Sequence, residues 1–133
     1  MLGRILASYL ISKKKFRVRL YSRNKSKIKK IDKIVNFLKN YSKKNIKELI
    51  KVNRPCIIIN CVGVTNQNLN FSSYKNLNSE LPKMIKEQIE QEDDQTKLIQ
   101  ISTDGVFKSR SKCYLESSIP NAIDNYGKSK KLG

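Results

Sequence analysis

Cys56-Ile57-Ile58-Ile59-Asn60-Cys61 is a continuous apolar, β-branched run. It lacks the alternation of a strand with one wet face, and such a run predicts a strand buried on both faces, as in parallel sheets. A second strand is expected downstream at Lys97-Leu98-Ile99-Gln100-Ile101-Ser102. Between them, Leu77, Leu81, Met84, Ile85 and Ile89 line one side of a helix over Asn76–Glu90. Pro82 would lie in its first turn, where a missing N–H does little harm. Upstream, Leu2, Leu6, Ala7, Leu10 and Ile11 predict a helix from Leu2 to Ser12, and Phe16–Tyr21 alternates as a strand. Ser22–Lys30 is polar and basic, a loop. Ile31, Ile34, Val35 and Leu38 repeat at helical spacing. So do Ile46, Leu49 and Ile50, in a helix that must stop before Pro55. A loop is expected from Thr103 to about Asn125, then a helix from Tyr126 to Gly133. Strands alternating with helices argue for one α/β domain with a parallel sheet.

The net charge of +17 is the most conspicuous global feature. It is better explained by a Lys-rich bias over solvated faces than by nucleic-acid binding. Only Arg4, Arg17, Arg19, Arg23, Arg54 and Arg110 are arginines, and no aromatic residues interleave the lysines as stacking platforms. A basic surface still attracts anionic ligands such as phosphorylated cofactors. The chain has no histidine, and its three cysteines form no C-x-x-C pair, so no metal site is expected. No run is long and apolar enough for a bilayer, and Met1–Ile11 lacks the flanks of a signal peptide. No membrane association is expected, and the compartment is read as cytoplasmic.

In open α/β sheets, ligands sit beyond the carboxyl ends of the strands. The segments to weigh are therefore Ser22-Arg23, Cys61–Thr65 and Thr103–Gly105. Tyr126 and Lys130 stand four apart, on one helix face. A protonated lysine beside a phenol favours the phenolate, which makes Tyr126 a usable proton donor and acceptor. A hydroxyl from Ser102-Thr103 can complete the site by hydrogen-bonding a substrate carbonyl. Alone, a Y-x-x-x-K pair arises readily by chance in a Lys-rich chain; following a strand that ends Ser102-Thr103-Asp104-Gly105-Val106-Phe107 gives it weight.

Those residues, with Tyr114-Leu115-Glu116, Pro120-Asn121 and Asn125–Gly133, resemble the extended short-chain dehydrogenase/reductases, in particular the dTDP-4-dehydrorhamnose reductase type. Ile58–Thr65 resembles that family's segment after its fourth strand, and Asn78–Pro82 its Asn-containing helix start. Met1-Leu2-Gly3-Arg4 resembles the end of its Gly-x-x-Gly-x-x-Gly loop. The resemblance implies a Rossmann-like parallel sheet flanked by helices, with residues 1–133 a partial NAD(P)-binding domain. It implies reduction of the C4 keto group of a nucleotide-activated 4-keto-6-deoxy sugar in deoxysugar biosynthesis. Tyr126 would donate the proton, Lys130 would lower the Tyr126 pKa and hold the nicotinamide ribose, and Thr103 would orient the carbonyl. Val62, Gly63 and Thr65 would line the cofactor, and Gly3 would end the phosphate loop. Arg23 stands where NAD-preferring members carry an acidic residue, which favours NADPH, with NADH the alternative. The partner is then a nucleotide-sugar, with a homodimer conceivable for a full-length form.

The family's first strand and its sugar-binding half have no counterpart in this sequence. The isolated chain is therefore expected to be poorly stable, with turnover by it left open. Alternatives are an epimerase or dehydratase of the same superfamily with tightly bound NAD, or a non-catalytic fragment or basic binding module.

Overall fold

A computed structural model describes residues 2–22, 35–38, 40–65, 69–92, 95–109 and 113–133. Helix α1 (Leu2–Ser12) leads to strand β1 (Leu20–Ser22), which pairs in parallel with β2 (Val35–Phe37). Helix α2 (Lys43–Asn53) opens on Ser42, whose hydroxyl accepts from the Asn45 N–H, and closes on Arg54 in the left-handed region. Strand β3 (Ile57–Asn60) pairs in parallel with β4 (Lys97–Gln100). Between these strands, α3 (Phe71–Lys75) runs through a π turn (Asn76–Glu80) into α4 (Leu81–Glu92). A 3₁₀ turn (Asp104–Val106) follows β4, and α5 (Asn125–Lys131) carries the last lysines.

The core lies between the strands and one helix layer. Leu38, Ile46, Ile50, Leu81, Ile85 and Ile89 form the buried cluster. Tyr21 packs on it from β1, and Ile58 and Leu98 from β3 and β4. Both strand pairs therefore share the α2/α4 layer. Lys47 and Glu92 join those two helices at 2.8 Å, and this hydrogen bond holds the Glu92 carboxyl below its ordinary range.

Several expectations are corrected. The run from Cys56 is buried on one face only: Ile57 and Ile99 are 51% and 45% exposed. Helices α2 and α4 cover the opposite face, and no described helix covers this one. The Val35–Leu38 stretch is not helical, because Val35–Phe37 is a strand. Ile31 and Ile34, which complete the helical spacing, lie outside the described residues, and parallel pairing with β1 makes Val35–Phe37 a strand despite that spacing. The strand expected at Phe16–Tyr21 begins only at Leu20. The helix expected from Asn76 starts at Phe71, so Pro82 lies in the interior of a long helix.

The π turn accommodates that proline. The Leu81 N–H reaches back five residues to the Asn76 carbonyl. The widened turn relieves the clash a proline ring makes with the carbonyl four residues before it. That carbonyl belongs to Asn78, and Gly133 packs directly against its oxygen. No helix among the described residues is long and apolar enough to cross a membrane.

Candidate active site

Thr103, Tyr126 and Lys130 converge beyond the carboxyl ends of β3 and β4. Thr103 is extended, at φ −154° and ψ 151°, and caps the 3₁₀ turn by accepting from the Gly105 N–H. Its hydroxyl donates to Asp104 Oδ1 at 3.2 Å. Gly105 is the junction: a Cβ built on it would lie 3.4 Å from both Thr103 Oγ1 and Tyr126 Cε1. The threonine hydroxyl and the tyrosine ring therefore flank one backbone position.

Helix α5 is held against this turn by backbone contact. Asp124 caps it, accepting from the Gly127 N–H at 2.8 Å. Gly127 then packs straight onto the Gly105 carbonyl and Ala122, where a Cβ would overlap both. The Tyr126 ring meets buried Tyr74 edge-on, with centroids 6.2 Å apart. Lys130 reaches back to the strand end, its Nζ donating to the Ile101 carbonyl at 2.7 Å. Partial burial pushes the Lys130 amine below the ordinary lysine range.

The segment after β3 faces the same place. A Cβ on Gly63 would stand 3.9 Å from Lys130 Nζ and 3.3 Å from Asn78 Oδ1. Val62 packs on the core, and its N–H donates to Asn60 Oδ1 at 3.0 Å. Thr65 is exposed two residues beyond Gly63, and no contact ties it to Lys130. Gly3, near the start of α1, abuts Cys61, its Cβ position being 3.2 Å from Cys61 Cβ. The start of α1 thus lies at the carboxyl end of β3. Burial pushes the Cys61 thiol up, which fits a packing role. Arg23 lies outside the described residues.

Residues that carried no role in the sequence reading hold the site together. Asn78, 1% exposed in the π turn, accepts from the Val64 N–H and donates to the Val64 carbonyl and to Ser129 Oγ. Ser79 donates to the Ser129 carbonyl at 2.6 Å, and Ser129 donates to the Tyr126 carbonyl at 2.7 Å. Ser129 lies on the same helix as Tyr126 and Lys130, three residues after the first, and that spacing was its available signal.

No family model matches the sequence, and no curated protein does. Solved structures match closely in shape. A hypothetical dTDP-4-dehydrorhamnose reductase from Sulfolobus tokodaii superposes with a TM-score of 0.79 at 26% identity, over 97% of this chain and 45% of that one. The dTDP-4-dehydrorhamnose reductase of Bacillus anthracis, solved with NADP, gives 0.65 at 24% identity, over 74% and 37%. The UDP-glucuronic acid 4-epimerase of Bacillus cereus, solved with NAD, gives 0.79 at 16% identity, over 99% and 46%. The chain spans less than half the length of each. It therefore has a partial Rossmann-like fold, and its structural neighbours are dTDP-4-dehydrorhamnose reductases and related epimerases and dehydratases of the extended short-chain dehydrogenase/reductase superfamily.

Proposed function

We propose that residues 1–133 are the nicotinamide-binding part of an oxidoreductase acting on nucleotide-activated sugars. More narrowly, the reaction is NADPH-dependent reduction of the C4 keto group of a 4-keto-6-deoxy sugar nucleotide. The observation that carries this reading is the junction at Gly105, with Thr103 and Tyr126 on either side of it and Lys130 anchored at the adjoining strand end. The likeness to two dTDP-4-dehydrorhamnose reductases, one solved with NADP, supports the narrower form.

The site fits a dinucleotide. Lys130 gives one bond to Ile101, and an ammonium has three protons, so ribose hydroxyls can take the others. The missing side chain at Gly63 leaves that ammonium approachable. The start of α1 at Gly3 offers backbone N–H groups to a pyrophosphate. Gly63 borders the same space, with Val62 and Thr65 the flanking candidates for the cofactor edge, and Arg23 suits a 2′-phosphate. When bound, the reduced nicotinamide supplies the hydride. Thr103 exchanges its bond to Asp104 for the substrate carbonyl and polarises it. Tyr126 gives its phenolic proton to the same oxygen, and the Lys130 ammonium stabilises the phenolate left behind.

Titrating the chain with NADPH tests the cofactor site, and incubating a full-length form that includes the sugar-binding half with NADPH and a dTDP-4-keto-6-deoxy sugar tests the reaction. Stoichiometric NADPH oxidation supports it. Sugar epimerisation without net oxidation, by protein carrying bound NAD, would make the chain an epimerase instead.

The pH profile is a second check. Because the folded-state pKa of Lys130 is depressed, its proton is lost at lower pH than from an exposed lysine. The rate is expected to hold through neutral pH and to fall on the alkaline side before the ordinary lysine range is reached. Lys130→Arg, which keeps its proton throughout, should move the onset of that alkaline fall to higher pH in the kcat profile.

A further inference from the structure

Asn60 and Gln100 face each other in the parallel register of β3 and β4. Four hydrogen bonds connect them to the site. The Val62 N–H donates to Asn60 Oδ1 at 3.0 Å, and Asn60 Nδ2 donates to Gln100 Oε1 at 2.7 Å. Gln100 Nε2 donates to the Ile101 carbonyl at 3.0 Å. Lys130 Nζ donates to that same oxygen at 2.7 Å.

The direction of this chain is fixed by chemistry. A backbone N–H can only donate, so Asn60 must turn its oxygen to Val62. Its amide nitrogen then faces Gln100, which must present oxygen in return. That leaves the Gln100 nitrogen to donate to Ile101. Neither amide can turn over without setting donor against donor or acceptor against acceptor. Asn60 is 4% exposed, so water does not readily replace a broken bond. A rivet between two strands would need only the bond from Asn60 to Gln100. The further donation goes to the carbonyl that anchors Lys130. A carbonyl oxygen has two lone pairs; Gln100 takes one and Lys130 the other.

We propose that Gln100 is a positioning residue for Lys130: clamped by Asn60, it holds the Ile101 carbonyl in the orientation that receives the Lys130 ammonium. This rests on the role given to Lys130 above. The test, however, reads the ammonium itself, so absence of reductase activity would remove that role and still leave this proposal decidable.

The experiment is NMR of the full chain with lysine and isoleucine labelled, the Lys130 signal being assigned by its loss in Lys130→Arg. In the parent protein the Lys130 ammonium should exchange slowly with water and show a through-bond correlation to the Ile101 carbonyl carbon. In Gln100→Leu, exchange should be severalfold faster and the correlation lost, with the backbone amides of β3 and β4 still protected. Gln100→Glu keeps the size of the side chain but offers the ammonium a carboxylate. There the correlation should leave Ile101 while exchange stays slow. No Lys130–Ile101 correlation in the parent, or one unchanged in Gln100→Glu, overturns the proposal. That second arm decides the matter even if Gln100→Leu does not fold.

Discussion

Tyr126→Phe should cut NADPH-dependent reduction by at least about a hundredfold, the usual scale of a positioned general acid. It should leave NADPH binding and the unfolding midpoint unchanged. The reasoning is geometric. The Tyr126 ring is held on its edge by Tyr74 and stands over Gly105, and phenylalanine keeps both contacts. Only the phenolic proton is removed. No histidine exists anywhere in the chain to take over, and the Thr103 hydroxyl is far too weak an acid. Steady-state kinetics beside a nucleotide titration and a urea melt separate the outcomes. An equal fall in binding or stability would mean that the phenol was holding structure. Undiminished turnover would remove Tyr126 from the chemistry altogether.

Gly127→Ala should be the most damaging small substitution near the site. In an open helix, alanine would gain about 1 kcal/mol over glycine. Here the added methyl meets the Gly105 carbonyl oxygen and the Ala122 methyl, and neither belongs to a flexible side chain. Relief requires α5 to move off the 3₁₀ turn. Overpacking of this kind costs about 1–3 kcal/mol and sometimes more, so it outweighs the propensity gain. Tyr126 is adjacent and Lys130 one turn on, and both ride on α5. Activity should therefore fall by more than the loss of stability accounts for, since misplacement by about 1 Å can cost a hundredfold. Lys128→Ala, at an exposed position of the same helix, should shift the melt by no more than about 0.5 kcal/mol. A Gly127→Ala protein as stable and active as its parent would show that α5 is not seated where the structure puts it.

The strand at Ile57 was legible because a β-branched run of that length has few other uses, and the strand at Lys97 because Leu98, Ile99 and Ile101 make a short apolar stretch after a polar connection. The juxtaposition of Thr103, Tyr126 and Lys130 was foreshadowed because Thr103 follows β4 and the other two stand four apart on α5. Val35 was misread because Ile31, Ile34, Val35 and Leu38 stand at helical spacing, and only pairing with β1, distant in sequence, overrides it. The degree of burial of Ile57 and Ile99 also escaped, since an apolar run does not say which of its faces a helix will cover. The clamps formed by Asn60, Asn78, Gln100 and Ser129 were the least visible part. Isolated polar residues do not show which distant group they will meet; their partners lie up to 51 residues away.

The π turn at Asn76–Glu80 acts as a phase shifter. One extra residue per turn rotates everything after it by about 100° relative to everything before. Ahead of it, Tyr74 is turned toward α5, and within it Asn78 meets the same helix. After it, Leu81, Ile85 and Ile89 enter the core cluster they share with α2. One helix thereby serves two masters that a straight helix of this sequence would leave out of phase. Deleting Glu80 from this turn would preserve hydrophobic content while rotating the core face and the face toward α5 against each other. Length, and not merely composition, is what the geometry demands at that point.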